Sequence, residues 1–146
     1  MNSWRNGEQR RHVNSIVLDS AAVLAMLQSE PGGDQVEALL DSIELGADVQ
    51  VAISSVNWCE VLTRTQRDYD GMTPVELTAA LAGVELVPFG KASAELAAKY
   101  AQVDRALSLG DRACLALAKS RGATAWTADR AWAQFKLDVP VRLIRP

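Results

Sequence analysis

Five short apolar runs punctuate this chain: IVL (16–18), VQVAI (49–53), VELVPF (84–89), TAWTA (124–128) and VRLI (141–144). Each has the length of a strand, and helical patterns fill the intervals between them. Predicted helices run from Ser20 to about Ser29, from Asp34 to near Gly46, from Ser55 to about Tyr69 and onward from Pro74. Others cover 91–103, Leu109 to Ser120 and, briefly, Arg130 to Phe135. The breaks are marked by residues with a physical reason to be there. Pro31-Gly32-Gly33 ends the first helix, Ser54-Ser55 and Thr73 are caps, Pro74 takes a first helical position and Gly122 closes the long late helix. Strands separated by helices pair in parallel, and a parallel sheet needs helices on both faces. The fold class expected is α/β.

With 146 residues, 49 % of them hydrophobic, the chain holds one domain with a real core. We divide it into a polar, partly disordered leader over 1–14 and a folded domain over 15–146. The leader carries Arg5, Arg10, Arg11 and His12 but no apolar stretch, so it is not a secretory signal. No apolar run approaches the roughly 20 residues of a membrane span. Cys59 and Cys114 match no metal or redox spacing and read as reduced core thiols. A cytoplasmic protein is expected.

In such folds ligands sit at the carboxyl ends of the strands, which makes the acids there informative. Asp19 ends the first strand, Asp129 follows the fourth, Glu60 lies in the helix after the second, and Asp111 opens the long late helix. Each has an ordinary explanation: Asp19 and Asp129 could cap helices, and Asp111 could stabilise a helix start. Glu60 is harder to dismiss. At about 100° per residue, Trp58, Val61, Leu62 and Thr65 share one face of its helix, while Val56, Glu60, Thr63 and Arg67 share another. That second, mixed face is expected to look into a cleft. Four convergent carboxylates would repel unless a cation neutralised them, and hard oxygen ligands suit Mg²⁺ or Mn²⁺. Such ions activate water in phosphodiester hydrolysis. Net charge is -3, so without the four acids the remainder stands at +1 and does not repel a polyanion. Arg112 and Arg130 directly follow two of the acids, and Arg64 and Arg67 follow Glu60 by one and two turns. All are candidate phosphate contacts.

VLDSAAVLAML, SSVNWCEVL and LSLGDRACLALAKSRGATAWTADRAW, in that order and spacing, resemble the PIN-domain family, and within it the VapC toxins of toxin–antitoxin pairs. The likeness runs from about Ile16 to Ile144. It implies a three-layer α/β/α fold with a mostly parallel central sheet of four to five strands. It also implies a Mg²⁺-dependent endoribonuclease (Mn²⁺ as substitute) with Asp19, Glu60, Asp111 and Asp129 as catalytic metal ligands. Ser20 and Thr127 match supporting hydroxyl positions that orient carboxylates or bound water. The implied partners are an RNA substrate, a cognate VapB-type antitoxin and a second copy of the chain, with no membrane. The second helix and the Trp58/Val61/Leu62 face are expected to offer apolar surface for that homodimer. One departure is the leader, which places the first acid unusually far from the start.

Other chemistries fit poorly. There is no G-x-S-x-G elbow and no G-x-x-x-x-G-K phosphate loop, and the single His lies in the leader. A receiver-type regulatory module would want an acid pair after the first strand, where this chain has Asp19-Ser20. The alternative kept is a non-catalytic α/β regulatory or RNA-binding module. With aromatics at 5 %, RNA recognition is expected to rest on backbone contacts from Arg112 and Arg130. At most one base would stack, on Trp132, whose commoner fate is core packing.

Overall fold

A computed structural model describes residues 14–68 and 71–146. The leader's Arg5, Arg10, Arg11 and His12, and Tyr69 at the expected end of a helix, lie outside the described residues. The elements follow the alternation of the sequence: β1 (Asn14–Leu18), α1 (Ser20–Leu27), α2 (Gly33–Glu44), β2 (Val49–Ser54), α3 (Ser55–Asp68) and α4 (Pro74–Ala80). They continue with β3 (Glu85–Val87), α5 (Lys91–Tyr100), α6 (Leu109–Arg121), β4 (Thr124–Thr127), a 3₁₀ turn (Arg130–Gln134) and β5 (Val141–Leu143).

The caps behave as their chemistry requires. Thr73 accepts from the Glu76 amide with Pro74 beside it, Ser54 Oγ accepts from the Val56 amide, and Gly122 closes α6 at φ 59 in the left-handed region. Several elements are shorter than expected, two of them by three residues. β3 stops at Val87 because Pro88 has no amide to give to a ladder, and α5 stops at Tyr100, with 101–103 forming turns. The segment after β4 is a 3₁₀ turn rather than an α-helix.

The five strands form one parallel sheet in the order β3-β2-β1-β4-β5. Side-chain alternation splits the core into two layers. Ile16, Leu18, Val51, Ile53 and Trp126 point to the face covered by α1 to α4, while Val17, Ala52 and Ala125 point to the face covered by α5 and α6. This is a three-layer α/β/α domain. The chain steps outward from β1 through β2 to β3, then returns to the other side of β1 as β4, so the order reverses between β1 and β4. The carboxyl ends align there, with Leu18 opposite Ile53 on one side and Trp126 on the other. That reversal leaves a crevice beyond the strand ends.

One expectation changes. Cys114 is a core thiol, but Cys59 is exposed, because α3 buries its Trp58/Val61/Leu62 side and leaves Cys59 beside Glu60 on the open side. Val36, Leu40 and Val61 are buried, and Leu39, Ile43, Trp58 and Leu62 are partly buried against the same core. Trp132 is buried against β4 and α6 at 2 % exposure and is not available to stack a base. Among the described residues no helix is long and apolar enough to cross a membrane.

Candidate active site

All four acids stand at the crevice, and three of them are held there by short-range backbone interactions. Asp19 is the N-cap of α1: its Oδ1 accepts from the Ala22 amide at 2.7 Å, and its own amide extends the β1–β4 ladder by donating to Trp126 O at 3.1 Å. Asp129 caps the 3₁₀ turn, with Oδ1 accepting from the Ala131 amide at 2.9 Å. Asp111 forms a reciprocal capping box with Ser108, its Oδ2 accepting from the Ser108 amide at 2.9 Å while Ser108 Oγ accepts from the Asp111 amide at 3.1 Å. Capping is therefore a fact for three of the acids. It occupies one oxygen and fixes the direction of the carboxyl, so it does not compete with a second role.

Glu60 reaches the site from α3. Its Oε1 accepts from Ser20 Oγ and from Asn57 Nδ2, both at 3.0 Å. Asn57, 1 % exposed, also donates Nδ2 to Gly110 O at 3.1 Å, which ties α3 to the start of α6. Both of its acceptors are oxygens, so the amide can take only this orientation, and Oδ1 is left buried without a partner. Gly110 completes the seat. A Cβ there would lie 2.2 Å from Glu60 Oε1, so only glycine lets the helix start press against this carboxylate. Thr127, fully buried at the end of β4, joins two acids: its hydroxyl donates to Asp19 and accepts from the Asp129 amide at 3.0 Å.

Exposure grades the site from open Asp129, through half-buried Glu60 and Asp111, down to Asp19 at 3 %. Burial is the main reason the Asp19 carboxyl rises from 3.8 to about 7. The Thr127 hydroxyl and the Ala22 amide pull it down, and the Asp111 and Asp129 charges push it up. Among the described residues, no Lys or Arg side chain is one of these influences. Below the acids lies the Cys114 thiol, which burial and the charges of Asp19, Asp111 and Glu60 hold well above its ordinary value, so it packs as a neutral group. The N-termini of α1 and α6 offset part of the negative charge. Among the described residues, no three acid, His or Cys side chains are already closed around a single point. The donor set is all carboxylate, one of them buried among like charges, and this chemistry fits a hard divalent cation.

Two clefts flank the acids. One, of about 630 Å³, lies on the Glu60 side between Val56, Cys59, Phe89, Leu109 and Gly110. The other, of about 530 Å³, lies on the Asp129 side. Of the mixed face of α3, Val56 and Glu60 line the cleft on the Glu60 side, while Thr63 and Arg67 are exposed outside both clefts.

A profile of the PIN domain family matches residues 16–137. The chain belongs to the PIN domain family. Solved structures share the fold. VapBC2 from Rickettsia felis, bound to a DNA fragment from their promoter, aligns with a TM-score of 0.63 at 14 % identity, over 88 % of this chain and 97 % of its own. FitAcB from Neisseria gonorrhoeae aligns at 0.61 and 21 % identity, also over 88 % and 97 %. A toxin–antitoxin complex from Klebsiella pneumoniae aligns at 0.60 and 19 % identity, over 78 % of this chain and 86 % of its own. No match was found among curated proteins.

Within this PIN domain the residues expected to act together divide clearly. Asp19, Glu60, Asp111, Asp129, Ser20 and Thr127 meet at the crevice. Arg130 is exposed beside Asp129, whereas Arg112 leans on α5, with Nη1 3.5 Å from Ala97 O and Nε buried without a partner. Asn57 and Gly110 are additions. The signal for Asn57 was its position one turn before Glu60, and nothing local in the sequence marks Gly110 as a seat.

Proposed function

We propose that this PIN domain is a Mg²⁺-dependent endoribonuclease, with Mn²⁺ as a substitute, and the toxin of a VapBC-type pair. One observation carries the reading: Asp19 is buried at the crevice, with the charges of Asp111 and Asp129 acting on it. A protein that only packed or only bound RNA would gain nothing from this arrangement, which destabilises the fold. PIN domains are generally nucleases, which supports the same conclusion.

In this reading Asp19, Glu60, Asp111 and Asp129 would hold the ion. When bound, the ion neutralises the carboxylates and supplies an activated water for attack on a phosphodiester. The chain's own groups do the positioning. Ser20 and Asn57 fix the Glu60 carboxylate against Gly110, and Thr127 fixes Asp19 relative to Asp129. The acid charges weaken the hold on an RNA phosphate near them, so metal binding tightens RNA binding without being required for it. A cognate VapB-type antitoxin, which would cover the acids, and a homodimer complete the proposal. They are supported by the resemblance and by relatives whose structures are toxin–antitoxin complexes.

The test is cleavage of single-stranded or looped RNA by purified protein. Activity is expected with Mg²⁺ or Mn²⁺ and in neither EDTA nor the Asp19→Asn variant, whose fold is checked by circular dichroism. Cleavage that persists in EDTA refutes the mechanism. Binding with no cleavage under any divalent ion leaves the non-catalytic RNA-binding module as the better reading.

A further inference from the structure

The cleft on the Asp129 side carries a cationic wall. It opens between α1, the loop holding Glu30, Arg64 of α3 and the end of β4, and Arg130 and Arg145 complete its lining. Arg145 is built into that wall. Its Nε donates to Ala128 O at 3.1 Å, its Nη1 lies 3.3 Å from Glu30 Oε2, and its side chain is 28 % exposed. Ala128 directly precedes Asp129, so this guanidinium is tied to the strand end that carries a site acid.

Arg121, which grips Glu85 through two bonds of 2.6 and 3.2 Å, Arg142, which lies over the Trp126 ring at 4.4 Å, and Arg112, which leans on α5, are not part of this lining. In a chain of net charge -3, the described residues of the lining carry three guanidiniums against the two carboxylates of Glu30 and Asp129. Glu30 is paired with Arg145.

We propose that this cleft seats the sugar–phosphate backbone of the RNA strand on one side of the scissile phosphate. Arg64, Arg130 and Arg145 take its phosphates, and Glu30 competes with the RNA for Arg145. The proposal rests on the nuclease reading and deepens it. Guanidinium forks match phosphate oxygens, and a half-buried, already bonded Arg145 has less conformational freedom to lose than a free surface arginine. Contacts of this kind position a strand without reading its bases, so the cleft confers affinity and register but no sequence preference.

The test is anisotropy of a labelled single-stranded RNA, measured in EDTA across a salt series, with thermal melts of every variant to confirm folding. Arg130→Gln and Arg145→Gln should each reduce the slope of log K against log salt by about 0.7. Glu30→Gln should tighten binding about twofold to fivefold, because it releases Arg145 from an exposed ion pair. Arg121→Gln, at the C-terminal end of α6 and outside the lining of the cleft, should leave both quantities unchanged. An unchanged slope in Arg145→Gln, or an equal loss in Arg121→Gln, overturns the proposal. If such a protein still cleaves RNA with Mg²⁺, the nuclease reading survives and the strand runs elsewhere. If it neither cleaves nor binds RNA, both readings fall. Arginine-dependent capture of an acidic peptide without RNA binding would assign the cleft to a protein tail instead.

Discussion

Asp19 makes the metal-free protein a pH-sensitive fold. Its carboxyl titrates at about 7 in the folded state, chiefly because of burial, against a reference of 3.8. The folded chain thus holds this proton more tightly than the unfolded chain. Below pH 3.8 both states are protonated and there is no penalty. As pH rises towards 7 the unfolded chain releases the proton while the folded chain retains it, so stability falls. Above 7 the loss levels off at about 4 kcal/mol, from about 1.4 kcal/mol per pH unit across the gap. That is a large part of the roughly 5–15 kcal/mol that stabilises an ordinary domain. Asp19→Asn keeps the oxygen that accepts from Ala22 but cannot ionise. In EDTA the wild type should therefore lose about 3 kcal/mol more than the variant between pH 5 and pH 8, and the variant should be the more stable protein at pH 8. Urea denaturation at a series of pH values measures this directly, and all other titrating groups cancel in the difference between the two proteins. Saturating Mg²⁺ should shrink the difference by stabilising the wild type. Parallel stability profiles for the two proteins from pH 5 to 8 would refute the reasoning.

Mg²⁺ at a hundredfold excess over its dissociation constant should stabilise the native state by about 2.7 kcal/mol. The accompanying rise in melting temperature should vanish in an Asp19→Asn/Asp111→Asn double variant, and an unchanged rise places the ion elsewhere. Asn57→Leu removes the buried, unpartnered Oδ1 and should leave stability equal or higher, yet free Glu60 and weaken Mg²⁺ binding by about 10- to 100-fold. A destabilised variant with unchanged Mg²⁺ affinity would reduce Asn57 to a tie between helices. Trp132→Ala should cost about 3–5 kcal/mol in denaturation, since the indole is 2 % exposed. Trp132→Phe should bind RNA as the wild type does, and a selective loss of RNA affinity would return a base-stacking role to this residue.

The sequence by itself determined the elements and the local aim of three of the four acids, because both are local matters. Strand length, helical period, Pro74, Thr73 and Gly122 act within a few residues of themselves. Asp19, Asp111 and Asp129 are aimed by backbone amides two or three residues away. Even the placement of Glu60 was legible, since a mixed helix face needs a cleft to look into. What only the tertiary structure decided are the contacts between distant segments. Asn57 meets Gly110 across 53 positions, Ser20 meets Glu60 across 40, and Glu30 meets Arg145 across 115. None of these residues announces its partner, because helix rotation and side-chain direction are set by how whole faces pack on the sheet. The same packing turned Arg112 towards α5, left Cys59 in the open and put Trp132 in the core. Local periodicity fixes which residues share a face, while the closing of the sheet and its two helical layers fixes what that face meets.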